Sequence, residues 1–395
     1  MTEVLKLFSL TAKPFRLDFR FGVSHSIASR SFSKNIIVEA VSKDGVTGYG
    51  EGIPRRYVTG ETIESALGAV DKITPLLKDA CFSSPDEIFS FIENIGCSET
   101  GIKNHSALCA VELALFDLAG KKWGISLSEM IRSVCEKLKI QPAEKINTQS
   151  SQRLVYSLVI PLLDKKNLFG FLENIKGYGF RYAKIKVNSE NPYERVELTR
   201  SILGEEIELR VDANCSWGME NAPGLIKELR NLGVVSVEQP LSEDDFQGSA
   251  ELLKSGFMHI SMDESVISEN DVKKAAAHKA CDIINVRVSK CGGISESLKM
   301  IAAAQNAGIK VQLGAHVGES SLLSAAGAHL ASVTGAFVWL EGSFGLHLLK
   351  ECIVKNVVQF DKGGILTLPA GFGLGIEIDS DKLKKAIDSY YNLEK

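Results

Sequence analysis

Ala183-Lys184-Ile185-Lys186-Val187 alternates small and branched apolar residues with two lysines, the period of a strand that sends both lysines to one side and Ile185 to the other. Four similar runs follow: Leu209-Arg-Val-Asp212, Val235-Ser-Val-Glu238, His259-Ile-Ser-Met-Asp263 and Ile283-Ile-Asn-Val-Arg-Val-Ser-Lys290. Each reads as a buried parallel strand closed by a polar residue. The closing residues Lys186, Asp212, Glu238, Asp263 and Lys290 are 26, 26, 25 and 27 residues apart, the length of one strand plus one helix.

Extended outward, the same alternation predicts a first barrel strand at Val155-Tyr-Ser-Leu-Val-Ile160, a seventh at Lys310-Val-Gln-Leu313 and an eighth at Phe337-Val-Trp-Leu-Glu341. Helices are expected between them, around 166–176 and 193–201 for the first two. Eight such units make an α/β protein of the (β/α) barrel type, whose strands all end at one rim. The five polar residues would then converge on one pocket.

Upstream, Asn35-Ile-Ile-Val-Glu-Ala-Val-Ser-Lys43 and Val46-Thr-Gly-Tyr-Gly-Glu51 flank Asp44-Gly45, a hairpin signal. Helical periodicity over 61–77 and 106–120 follows, so residues 1–130 read as an α+β capping domain. A polar connection over 134–152 leads into a barrel spanning 131–344. The remainder, 345–395, carries Gly363-Gly364, Pro369 and several further glycines, and is expected to be loops that pack back and complete the cap.

Composition narrows the function classes. With 45% hydrophobic and 24% charged residues in 395, the chain has the makeup of an ordinary enzyme with a sizeable core. A net charge of -4 provides no basic footprint for nucleic acid and no polybasic membrane patch, and no apolar run is long enough to span a bilayer. The N-terminus lacks a signal-peptide pattern, and eight scattered cysteines without a CxxC pair suit reduced thiols, so a cytoplasmic location is expected.

Asp212, Glu238 and Asp263 offer hard oxygen ligands from three successive strands, which favours Mg²⁺ over zinc or copper. Taken one at a time, each acid reads first as a strand-end salt bridge or helix cap and only second as a ligand. Three buried together are costly without a cation. Lys184, Lys186 and Lys290 beside them are either simple counter-charges or proton carriers, since burial and a nearby ion both lower a lysine's pKa. A substrate carboxylate on the ion would lie between amines from strands two and six. One amine takes the α-proton, the ion stabilises the enediolate, and the other amine returns the proton to the opposite face.

These residues resemble the enolase superfamily, specifically its muconate-lactonizing-enzyme subgroup, which includes dipeptide epimerases and o-succinylbenzoate synthases. The resemblance spans nearly the whole chain. It is carried by Gly48-Tyr-Gly-Glu51, Tyr57-Val-Thr-Gly-Glu-Thr62 and Glu112-Leu-Ala-Leu-Phe-Asp-Leu-Ala-Gly-Lys121 in the first part. In the barrel it is carried by Lys184-Ile-Lys186, Asp212-Ala-Asn214, Glu238-Gln-Pro240, Asp263-Glu-Ser265 and Lys290-Cys-Gly-Gly293. It implies a modified TIM barrel with a capping domain, and Mg²⁺, with Mn²⁺ as an alternative, on Asp212, Glu238 and Asp263. It also implies Lys186 and Lys290 as the acid/base pair, supported by Lys184, with Asn214 and Glu264 close behind the ligands.

The expected activity is racemisation or epimerisation of an amino-acid derivative or dipeptide carrying a carboxylate. A muconate-type cycloisomerase or an o-succinylbenzoate-synthase-like dehydrating lyase stays open, as does a homo-oligomer. A barrel that binds without catalysing would have lost a ligand or a lysine, and here all five positions are filled. Dipeptide epimerases resemble one another in an Asp-x-Asp after strand eight that holds the substrate's amino group, whereas this chain has Glu341-Gly-Ser343, and Glu341 is either an ammonium partner or structural. Strand seven brings His316 and Glu319 to the rim. In the family, specificity comes from two cap loops, here 19–30 and 52–59. Their Arg20, His25, Arg30, Arg55, Arg56 and Tyr57 would face the substrate and hold a second anionic group.

Overall fold

The computed structural model describes residues 4–24, 29–97, 104–140, 153–190 and 192–393. Its first part is an antiparallel sheet in which Ser29–Ser42 pairs with both Leu5–Ser24 and Thr47–Gly52, while Cys81–Phe82 adds a short edge to Leu5–Ser24. Asp44-Gly45 makes the expected hairpin, with Gly45 at φ +89°. Against Thr47–Gly52 lies the helix His105–Trp123. A Cβ at Gly48, Gly50 or Gly52 would run into the helix backbone at Ala114, Ala110 or Ser106. Two residues of strand advance about as far as four of helix, so glycines at every second strand position let successive helical turns touch the sheet.

The second part is a parallel sheet of eight strands in sequence order: Leu158–Ile160, Tyr182–Lys186, Glu208–Asp212, Val234–Glu238, His259–Met262, Ile283–Val286, Lys310–Leu313 and Phe337–Leu340. A bridge between Tyr156 and Leu340, with the Ser157 N–H donating to the Leu340 carbonyl at 2.7 Å, closes it into a barrel. Each of the seven connections between strands is helical among the described residues, from Lys165–Ile175 to Ser321–Val333, and the sixth holds two helices, Val288–Cys291 and Ile294–Asn306. The eighth strand is followed by a 3₁₀ turn at Gly345–His347 instead of a helix.

Three expectations change. The stretch 155–160 is broken: Arg153–Val155 pairs antiparallel with Ile365–Thr367, because the Tyr156 N–H is taken by the Gly364 carbonyl, and only Leu158–Ile160 enters the barrel. Lys290 does not close a strand. The strand stops at Val286, and Lys290 sits in the short helix Val288–Cys291. The C-terminal piece is not all loop, since Asp379 caps a helix, Ser380–Tyr391, with Tyr390 buried and in reach of Lys34. Of the stretch 134–152, Leu127–Leu138 is helical through its first part and 141–152 lies outside the described residues.

Candidate active site

Lys186, Asp212 and Glu238 stand side by side, because the parallel register pairs Lys186 with Asp212 and Asp212 with Glu238. Asp263 follows immediately on the next strand. The same period-two logic sends Lys184 and Lys186 inward and leaves Ile185 packed outside at 0% exposure.

Cations thread these acids. Lys184 Nζ donates to both Glu238 oxygens at 2.9 Å, lies 2.6 Å from Glu341 Oε2 and 3.6 Å from Asp212 Oδ2. Lys186 Nζ donates to Asp212 Oδ2 at 3.0 Å and to Asn214 Oδ1 at 2.6 Å. Lys290 Nζ donates to Asp263 Oδ1 at 2.8 Å and to the carbonyls of Asp263 and Asn285 at 2.7 Å. Arg287 reaches Asp263 Oδ2 directly and lies 3.9 Å from Glu238. Burial opposes the charge of Asp212, but Lys186 and Lys184 outweigh it and its pKa is lowered. Burial likewise opposes Glu238, and Lys184 wins there. Lys184 is raised above the ordinary lysine value because Glu238, Glu341 and Asp212 overcome its desolvation. Lys290 has less compensation, and burial brings its ammonium down to about 8. Burial, helped by Asp212 and Glu238, pushes Glu264 up to about 7.

The cavity over these groups is small, ≈60 Å³, and Lys184, Lys186, Asp212, Asn214, Glu264, Arg287, His316, Glu341 and Tyr57 line it. Lys290 is fully buried and lies behind that lining. Asn214 reaches Glu264 at 3.1 Å, so the pair brackets Lys186. His316 is buried with neither ring nitrogen bonded, and burial together with Arg287 holds its pKa well below the usual value, leaving it neutral. Glu319 accepts the His316 N–H at 2.7 Å, and burial raises it to about 8.

Among the described cap residues, two arginines are bonded away from the cavity. Arg55 is buried and donates to Ser33 Oγ and to the Lys34, Pro54 and Val317 carbonyls. Arg20 bonds the Leu349 carbonyl, and Arg30 lies over the Tyr57 ring at 4.9 Å. Arg56 is exposed and borders a different depression, so only Tyr57 of the expected loop residues lines the cavity. His25 lies outside the described residues.

Several site groups escape the reading of strand ends. Arg210, 2% exposed, pairs with Glu341 at 2.9 Å and donates to Gln312 and Ser157 at 2.9 Å each. Asn285 and Gln312 donate to the Glu238 oxygens. Gln239, at φ +38°, turns back so that its Oε1 accepts from the Asp263 and Ser265 N–H groups. Arg210, Asn285 and Arg287 all fall two residues from a neighbouring inward position, a signal that strand periodicity contains.

Three carboxylates from adjacent strands, all 1–2% exposed, are the donor chemistry of an oxygen-ligated divalent ion. Glu264 Oε2 is buried without a hydrogen bond and would suit a nearby cation, whereas Asp263 Oδ2 is already met by Arg287. As the side chains stand, no three His, Cys, Asp or Glu groups among the described residues are gathered to hold one ion, because Lys184 and Arg287 reach between the acids. The residues fit Mg²⁺ by donor type, with Arg287 the group that must give way.

Residues 171–382 match the enolase C-terminal domain-like family, and 14–131 match the mandelate racemase / muconate lactonizing enzyme N-terminal domain. The chain belongs to the enolase superfamily. This superfamily member is 28% identical to the N-succinyl-L-Arg/Lys racemase of Bacillus cereus over 387 residues, 96% of this chain and 98% of that protein. It is 27% identical to the o-succinylbenzoate synthase of Bacillus subtilis over 389 residues, 97% of each. Among solved structures, the N-succinyl Arg/Lys racemase from Bacillus cereus superposes with a TM-score of 0.85 at 27% identity, covering 96% of this chain and 98% of that one. The dipeptide epimerase from Enterococcus faecalis complexed with Mg and L-Leu-L-Tyr shares the fold with a TM-score of 0.83 at 24% identity, covering 94% and 99%. The chain is thus an enzyme of a superfamily whose similar members are racemases, epimerases and a synthase. No helix among its described residues is long and apolar enough to cross a membrane.

Proposed function

We propose that this enzyme racemises or epimerises the α-carbon of a carboxylate substrate, an N-acylated amino acid in preference to a dipeptide with a free amino group. The observation that carries the reading is an amine on either flank of the acid row, Lys186 at 3.0 Å from Asp212 and Lys290 at 2.8 Å from Asp263. Asp212, Glu238 and Asp263 would hold Mg²⁺, which when bound lowers the acidity barrier of the α-proton and stabilises the negative charge of the enediolate. Lys186, aimed by Asn214, takes or returns the proton on one face, and Lys290 serves the other after releasing one of its three acceptors. Lys184, held charged, places positive charge beside the substrate carboxylate.

The preference for an acylated nitrogen comes from Glu341. Its carboxylate faces the cavity, but Lys184 and Arg210 already neutralise it, so no free anion is left at the end of strand eight for a substrate ammonium. The similarity to an N-succinyl amino-acid racemase supports the same reading.

N-acyl amino acids incubated in D₂O with Mg²⁺ should gain α-deuterium, followed by NMR. Lys186→Ala and Lys290→Ala should each lose racemisation by roughly 10²–10⁴-fold while retaining exchange for one enantiomer only. Wild-type racemisation by both variants would end the proposal. A product of changed connectivity would assign the chain to the cycloisomerase or lyase reaction instead.

A further inference from the structure

A second cavity, ≈360 Å³, opens beside the first and shares Val159, Lys186, Val317 and Phe344 with it. The acid–base cavity, at ≈60 Å³, has room for little beyond the reacting carbon and its carboxylate. Ligand pockets ordinarily run to roughly 300–1,000 Å³ and are mostly apolar. The bulk of a substrate that reaches Lys186 therefore has to lie in the adjoining space.

We propose that this second cavity receives a large uncharged substituent of the substrate, an aromatic or branched aliphatic group carried either on the α-carbon or on the acyl nitrogen. The inference rests on the α-proton reading above and narrows its substrate class. Phe21 from the cap, Phe171 and Phe180 from the first barrel unit, and Phe360 from the C-terminal segment supply the walls. Among the described residues, Lys186 is the only Lys, Arg, Asp or Glu in the lining. Of its polar members, His347 is already occupied, its Nε2–H donating to the Phe360 carbonyl at 2.7 Å and its ring stacking on the Phe360 ring at 4.9 Å. Lys186 is committed to Asp212 and Asn214, and no other charged group among the described lining residues would compensate the desolvation of a charged substituent. Among the described cap residues, Arg20 and Arg55 are bonded to carbonyls, so neither is free to meet a second carboxylate there.

The cavity exists because of the fold. The eighth strand leads into a 3₁₀ turn, and that turn, the helix Lys165–Ile175 and the C-terminal segment line the space through His347, Phe171 and Phe360. Phe21 stands at its mouth with 45% of its surface exposed, an apolar residue that a bound hydrophobic group would cover.

The test compares α-proton exchange for N-acetylphenylalanine, N-acetylleucine and N-benzoylalanine with N-acetylaspartate and N-acetyllysine. The first two place the bulk on the side chain and the third on the acyl group, so the better arm shows which substituent enters. Each compound is also titrated by calorimetry in the presence of Mg²⁺. The apolar compounds should lead the charged ones in kcat/KM and in affinity by roughly tenfold or more, the effect of burying one large apolar group. Phe21→Glu should erase most of that ratio, chiefly through KM, and Phe21→Leu should keep it. Equal or better use of the charged compounds, or a ratio untouched by Phe21→Glu, would overturn the assignment while leaving proton exchange intact. Selective binding of the apolar compounds without exchange would uphold the cavity's role and remove the proposed reaction.

Discussion

Buried carboxylates occur in two settings in this enzyme, and their pKa values shift in opposite directions. At the barrel rim, Asp212 and Glu238 face lysines and their pKa values are lowered despite complete burial. At the seam between cap and barrel, Glu51 and Glu112 face hydrogen-bond donors without a paired cation, and burial pushes both up to about 7. Glu51 accepts from the Ser320 and Leu323 N–H groups at the start of Ser321–Val333, from Ser320 Oγ and from Asn35. Glu112 accepts from the Ile294 and Ser295 N–H groups, at the start of Ile294–Asn306, the helix after Lys290. Hydrogen bonds and helix termini hold a carboxylate in place, but only full opposing charges keep it ionised at this depth. The rim acids are thereby kept as anions, the state that the proposed divalent ion would need, and the seam acids serve as struts.

The largest contrast should come from the metal. Mg²⁺ at a hundredfold excess over its Kd should stabilise the wild type by about 2.7 kcal/mol, read as a rise in Tm that a chelator reverses. Asp263→Asn should abolish that rise and cut α-proton exchange about a hundredfold or more, whereas Glu112→Gln at the seam should keep the rise. A Tm response that persists in Asp263→Asn would refute the assignment of this carboxylate.

Next in size is the strut itself. Glu112→Ala leaves buried N–H groups of Ile294 and Ser295 without acceptors, which should destabilise the fold by about 1–3 kcal/mol in denaturant unfolding. Because those groups begin the helix adjoining Lys290, the same substitution should lower kcat more than it raises KM. A stability loss with unchanged kcat would separate the seam from the site.

The smallest effect is the pH response. Glu51 and Glu112 have folded pKa values of about 7 against an ordinary 4.5. Between those limits the folded form binds more protons than the unfolded chain, so their contribution is complete below pH 4.5 and is lost as pH rises through 7. Wild-type stability should therefore carry a downward slope across this window, and Glu112→Gln should flatten part of it. An unchanged slope would mean that Glu112 is ionised throughout.

Much of this architecture is legible in order and spacing. The 25-to-27-residue rhythm of Lys186, Asp212, Glu238, Asp263 and Lys290 predicts the repeated barrel unit, and Asp44-Gly45 predicts the hairpin. The break at Tyr156 is harder to read, because it depends on Gly364, more than 200 residues away, taking a strand hydrogen bond. The final helix is masked by the glycines before it, and its amphipathic face makes sense only against the cap strand it covers. Arg210 and Arg287 obey the inward alternation of their strands, yet arginine in an apolar run gives no hint of which acid it will meet.

Residue order along the chain settles which groups reach the rim, since strand alternation and the repeat length are local properties of the backbone. It also settles the donor type, oxygen from carboxylates, and the presence of two candidate proton carriers. Folding in three dimensions decides how those charges are shared. Lys184 spends its charge on Glu238 and Glu341 together, Arg287 reaches between two acids, Arg20 and Arg55 of the cap turn to carbonyls, and an apolar hollow lies beside Lys186. Electrostatic pairing and cavity shape depend on distances between segments far apart in the chain, and those distances exist only once the barrel has closed.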